Sequence, residues 1–169
     1  MQNIVLIGMP GAGKSTVGVI LAKQLSKTFV DTDLLIQNRH HQTLQEILDR
    51  HDYLTLREFE EREILRLHVH NAVIATGGSA VYSERAMTYL KADGAIVYLK
   101  LGAAELLRRI NDFESRGIAM AKGVSFAELY REREILYHHY GQIIIDCANK
   151  THEQVAEAIV DQWQTELAG

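Results

Sequence analysis

The chain has 169 residues, 47% of them apolar, with a formal charge of −4 and an isoelectric point near 6.1. That length builds one well-buried domain and hardly two, the apolar share excludes general disorder, and the mildly acidic balance excludes the broad basic surface of a nucleic-acid binder. With Cys147 the only cysteine, no intramolecular disulfide forms and a reducing compartment is expected. No basic leader precedes the first strand and no apolar run is long enough to span a bilayer, so the expectation is a cytoplasmic protein, a monomer, with neither membrane nor nucleic acid as partner.

Asn3 to Ile7 is a short apolar run rich in β-branched residues, the composition of a buried strand. Gly8-Met9-Pro10-Gly11-Ala12-Gly13-Lys14-Ser15 follows and fits G-x-x-x-x-G-K-[ST], the phosphate-binding loop. Thr16 to Lys27 then sets Val17, Ile20, Leu21 and Leu25 at helical spacing. Strand, glycine loop and helix in that order make a nucleotide site of Gly8, Gly11, Ala12, Gly13, Lys14, Ser15 and Thr16. Inward-facing backbone N–H groups and the positive end of the helix cradle phosphate oxygens. Lys14 reaches the β- and γ-phosphates of ATP, and the Ser15 hydroxyl serves Mg²⁺.

Thr28 to Asp33 reads as a strand ending in two acids, Asp31 and Asp33, whose side chains share a face. One carboxylate suits the metal and the other a substrate hydroxyl. Leu34 to Arg39 and Leu44 to Arg50 are short helices, the second opened by a Thr43/Glu46 capping box. Tyr53 to His70 is a longer charged helix on which Arg57 and Glu60, three apart, can meet. Asn71 to Thr76 is a buried strand running into Gly77-Gly78-Ser79, and Ser83 to Lys91 is helical.

Gly94 to Leu99 is the fourth strand and Ala103 to Ile110 a helix; residues 111–118 are polar and aperiodic and read as a mobile loop. Ser125 to Tyr140 returns to helix, Gln142 to Ile145 is the fifth strand, and Thr151 to Leu167 is a closing amphipathic helix. Strands alternating with helices predict an α/β domain, a five-stranded parallel sheet with helices on both faces. Its ligand crevice belongs at the carboxyl ends of the strands.

This ordered set resembles the shikimate kinases. The residues that carry the likeness are Gly8 to Thr16; Phe29-Val30-Asp31-Thr32-Asp33 for F-x-D-x-D; Leu56-Arg57-Glu58-Phe59-Glu60 for F-R-x-x-E; Gly77-Gly78-Ser79 for a triple glycine; Arg116 for the lid arginine; and Arg133 with Leu136-Tyr137 for R-x-P-L-Y. The resemblance implies one P-loop kinase domain over 1–169, with an acceptor-binding segment about 32–62 and a lid about 111–124. It implies ATP-dependent phosphorylation of the shikimate 3-hydroxyl. Lys14 and Arg116 would then stabilise the transferring phosphoryl group, and Ser15 and Asp31 would serve Mg²⁺, Asp31 through water. Asp33 would hold and activate the acceptor hydroxyl. Arg57 and Arg133 would grip the acceptor carboxylate with Glu60 orienting Arg57, and the N–H groups of Gly77, Gly78 and Ser79 would complete the pocket. Arg109 would pack on adenine, beside an adenine loop at Asp146 to Thr151.

Five positions depart from the family pattern: Ser79 for the third glycine, Gly117 and Ile118 for the proline and leucine after the lid arginine, and Leu56 and Ile135 for Phe and Pro. The Ser79 hydroxyl is expected to be available to the acceptor and Gly117 to loosen the lid. The alternatives are a related P-loop kinase acting on another sugar acid, of gluconate type, a nucleoside monophosphate kinase, or a kinase-like nucleotide-binding protein without turnover.

Overall fold

The computed structural model describes residues 2–109 and 117–167. Five strands, β1 (Asn3–Ile7), β2 (Thr28–Asp31), β3 (Ala72–Ala75), β4 (Gly94–Lys100) and β5 (Ile143–Asp146), form one sheet in the order β2-β3-β1-β4-β5. Every pairing is parallel. The connecting helices are α1 (Lys14–Leu25), α2 (Thr32–His40), α3 (Leu44–Arg50), α4 (Tyr53–Leu65), α5 (Glu84–Ala92), α6 (Ala103–Arg109), α7 (Phe126–Tyr140) and α8 (His152–Leu167). A single 3₁₀ turn, Ala80–Tyr82, follows the glycine loop after β3.

Both faces of the sheet are covered, as the continuous apolar strands require. Leu6 packs toward Gly18 of α1. Tyr98, the register partner of the next residue, Ile7, stacks on Tyr137 of α7. Successive strand residues point to opposite faces, so α1 and α7 lie on opposite sides. The main core runs through β1, β3 and β4. A second, small core of Ile36, Ile47, Leu56 and Ala119 holds α2, α3 and α4 together apart from it. Among the described residues no helix is long and apolar enough to cross a membrane.

The helix expected over Tyr53 to His70 stops at Leu65. Tertiary contacts take its last residues: Leu67 and Val69 pack on the main core, and the Val69 carbonyl accepts from Asn3 Nδ2 at 2.9 Å. Asn3 Oδ1 in turn accepts the Ala72 N–H at 2.8 Å. This buried side chain thus sets where β3 starts beside β1. Asn3→Ala leaves the Ala72 N–H buried without a partner and is expected to lower stability by about 1–3 kcal/mol, read as a reduced urea midpoint at unchanged m-value.

Candidate active site

β1 lies at the centre of the sheet, so the loop that leaves its carboxyl end opens on the crevice between the two halves. The loop closes tightly: the Ala12 N–H donates to the Met9 carbonyl at 3.1 Å, and Gly13 caps α1 at φ +95°. Lys14 is buried and folds back over the loop, its Nζ donating to the carbonyls of Gly8 (2.8 Å) and Met9 (3.0 Å). Burial lowers its pKa to about 8, against the opposing charge of Asp33.

A cleft of about 830 Å³ opens over this loop. Gly11, Gly13, Lys14, Ser15 and Thr16 line it, with Arg109 from α6 and Lys150, Thr151 and His152 from the start of α8. Gly8 and Ala12 belong to the loop but are not part of the cleft's wall. Arg109 is held by Glu105 one turn earlier, at 2.6 Å. His152 and Thr76 were not legible as cleft residues. His152 lies beside Gly13, where an added Cβ would come within 3.1 Å of its ring.

Asp31 and Asp33 do not share a strand face. The strand ends at Asp31, whose Oδ1 accepts the N–H groups of Asp33 (3.0 Å) and Leu34 (3.2 Å) and so caps α2. Capping satisfies orphan donors and starts the helix at once, which puts Asp33 in its first turn. Both acids still face the loop. The Ser15 hydroxyl donates to Asp31 Oδ2 at 2.6 Å, a pair of hard oxygen donors beside the phosphate cradle that fits Mg²⁺.

Asp33 also lines a second, smaller cavity, of about 60 Å³, that adjoins the first through Pro10, Lys14 and Asp33. Its wall includes Glu60, Gly78, Ser79 and Arg133, closed by Leu44, Leu56 and Ile118. Gly77 is the pivot of this region. A Cβ there would overlap Glu60 Oε1 and come within 2.6 Å of Asp33 Oδ1, so only glycine lets both carboxylates close on the backbone. Its N–H donates to the buried Thr32 hydroxyl at 3.0 Å, tying the glycine loop to the start of α2.

Burial raises Asp33 to about 6, with Lys14 opposing and Asp31 adding. Glu60 rises to about 7, from burial first and Asp33 second. Arg133 is 1% exposed and donates Nη2 to the Ala119 carbonyl at 2.6 Å. Arg57 and Glu60, expected to meet, are not paired. Glu60 Oε2 takes the Ser79 hydroxyl, and Glu60 Oε1 and Arg57 Nε have no hydrogen-bond partner. The Arg57 guanidinium lies instead over the Tyr82 ring.

The family model of shikimate kinase matches residues 10–164. The chain belongs to the shikimate kinase family. It is 34% identical over 163 residues to the shikimate kinase of Caldanaerobacter subterraneus subsp. tengcongensis, covering 95% of each chain. Against shikimate kinase 2 of Escherichia coli O1:K1 the identity is 33% over 161 residues, 92% of each. The solved shikimate kinase of Acinetobacter baumannii in complex with shikimate is similar at TM-score 0.87 and 27% identity, over 98% of this chain and 94% of that one.

Two departures from the shikimate kinase pattern, Ser79 and Gly117, line the small cavity. Ser79 sits at φ −101°, where any residue is at ease, so its N–H stays available. Its hydroxyl donates to Glu60, which lines the same small cavity. Gly117 is closely packed against the start of α3. It stands at φ +64°, an added Cβ would lie 2.5 Å from Leu44 Cβ, and its N–H donates to Gln45 Oε1 at 3.0 Å. A glycine is required there for close approach to α3. Arg116 and the rest of the 111–116 portion of the 111–124 lid lie outside the described residues.

Restoring the shikimate kinase proline by Gly117→Pro removes the donor and forbids the φ. The expected cost is about 1–3 kcal/mol of stability, read as a lower thermal midpoint, with Gln45→Ala costing less.

Proposed function

We propose that this protein transfers the γ-phosphoryl group of ATP to the 3-hydroxyl of shikimate. The observation that carries the reading is the pair of adjoining cavities with Lys14 and Asp33 in the wall of both. One is a phosphate cradle; the other holds a buried arginine and two carboxylates, which suits a small acid rich in hydroxyls. A nucleotide acceptor would need arginines around a second phosphate, whereas the polar wall here is acidic beside Arg133. The relative solved with shikimate supports the same acceptor.

In this reading Asp33 takes the proton of the attacking hydroxyl. The hydroxyl oxygen bonds to the γ-phosphorus as the bond to the β–γ bridging oxygen breaks, and ADP leaves. Lys14 exchanges its loop carbonyls for β- and γ-phosphate oxygens and neutralises charge gathering there. Arg133 and Arg57 hold the acceptor carboxylate through forked N–H donors, and the N–H groups of Gly78 and Ser79 orient its ring, that of Gly77 being taken by Thr32. Ser15 and Asp31 would hold Mg²⁺, which supplies further neutralisation of the phosphate oxygens. Arg109 and the loop before α8 form the adenine wall. The segment 32–62 acts as an acceptor-binding unit, an assignment supported by its own small core.

We place the protein in the cytoplasm as a monomer, without nucleic-acid or membrane partner. The acidic balance and the single buried thiol support a reducing compartment and the absence of a nucleic-acid partner.

The test is ADP release against shikimate, quinate, gluconate and nucleoside monophosphates. Shikimate is expected to give the highest kcat/KM, and Lys14→Ala to abolish turnover in a folded protein. Preferred turnover of gluconate would move the reading to a sugar-acid kinase, and nucleotide binding without turnover to a non-catalytic protein.

The pH dependence follows from Asp33. Below about 6 its carboxyl is protonated and cannot accept the hydroxyl proton. At saturating ATP, kcat/KM for the acid is expected to rise about tenfold per pH unit below that point and level off above it. Asp33→Asn should remove the limb together with about 10²–10⁴ of the rate.

A further inference from the structure

We infer that Tyr82 is a positioning residue for the acceptor's carboxylate, its ring serving as a shared platform that holds Arg57 and Arg133 side by side. The inference rests on the acid-acceptor reading above and deepens it.

Tyr82 ends the 3₁₀ turn that follows the glycine loop, and this turn packs against both α4 and α7, the helices that carry the two arginines. The Arg57 guanidinium carbon lies 3.5 Å from the centre of the ring and that of Arg133 lies 5.5 Å from it. Tyr53 adds a second ring, 4.9 Å from Arg57. Both arginines keep a buried Nε without a hydrogen-bond partner. Two cations brought together out of water repel each other and lose hydration, and something must offset that.

An aromatic face does so in a way that a carboxylate cannot. Its negative π cloud attracts the plane of each guanidinium and leaves the N–H donors on the edges free for a ligand's carboxylate. A glutamate paired with Arg57 would consume those donors and cancel the charge. Glu60 is turned away to Ser79. Orientation of Arg57, assigned to Glu60 by the family pattern, is therefore performed here by Tyr82. The ring face is the part of Tyr82 that both guanidiniums share.

The test measures kcat and KM at saturating ATP for shikimate and for its methyl ester, in the wild type, Tyr82→Phe and Tyr82→Leu. Tyr82→Phe keeps the face and should stay within about twofold. Tyr82→Leu keeps apolar bulk and loses the face, so KM for the acid should rise about 10- to 30-fold while kcat and KM for ATP change little. The ester has no charge to grip, so the preference for acid over ester should shrink by the same factor. A fluorinated phenylalanine at position 82 keeps the ring's shape while depleting its face, and should raise KM for the acid even if Tyr82→Leu fails to fold.

Unchanged KM for the acid in both variants without a π face, or acid and ester rising together, overturns the inference. Arg57→Ala and Arg133→Ala run alongside. If neither raises KM for the acid, the acid-acceptor reading itself fails and the inference with it; if both do and the Tyr82 variants do not, the platform alone fails.

Discussion

Four charges drawn together around Gly77 constrain everything else near the crevice. Lys14, Glu60 and Arg133 are buried and Asp33 partly so, and charges taken out of water are costly unless paired and hydrogen-bonded. Here two cations offset two anions, and the surroundings supply the remaining bonds. Loop carbonyls receive Lys14, the Ala119 carbonyl receives Arg133, and Ser79 serves Glu60. The compensation is incomplete by design of the fold: Glu60 Oε1 and the Nε atoms of Arg57 and Arg133 remain without partners. Desolvation then pushes Asp33 up and Lys14 down from their ordinary values. Those are the directions that make a base and a phosphate-seeking cation responsive to what binds between them.

The parallel sheet explains why such a cluster forms at this place. All strands end on one edge, so the loops after β1, β2 and β3 meet there. The Thr32–Gly77 hydrogen bond joins two of these loops directly, and Gly78 lets the third come close, since a Cβ there would lie 2.8 Å from Pro10. The acceptor side is attached to this frame through a core of its own. Of the apolar cavity wall, Leu44 and Leu56 belong to that small core, whereas Ile118 packs in the main core with the sheet.

Some of this was legible because its physics is local. The phosphate loop is contiguous, its spacing dictated by backbone geometry, and the Thr43/Glu46 capping box involves residues three apart. Apolar runs identified all five strands to within two residues; β1, β3 and β4 are buried on both faces, where a strand has no polar alternative. Other features were misread where a tertiary partner decided between two local options. Asp31 could extend a strand or cap a helix, and the donors of Asp33 and Leu34 settled it. The end of α4 was taken by Asn3.

The sequence by itself determined the class of fold, the nucleotide loop and the identity of the polar groups gathered at the strand ends. Only the tertiary structure decided which of them meet. Arg57 and Glu60 sit three apart on one helix, yet Arg57 goes to Tyr82 and Glu60 to Ser79. The physical reason is that helical spacing allows a contact without requiring it. Once water is removed, a buried ion chooses the partner that best replaces its hydration, and that partner comes from whichever element the fold brings near.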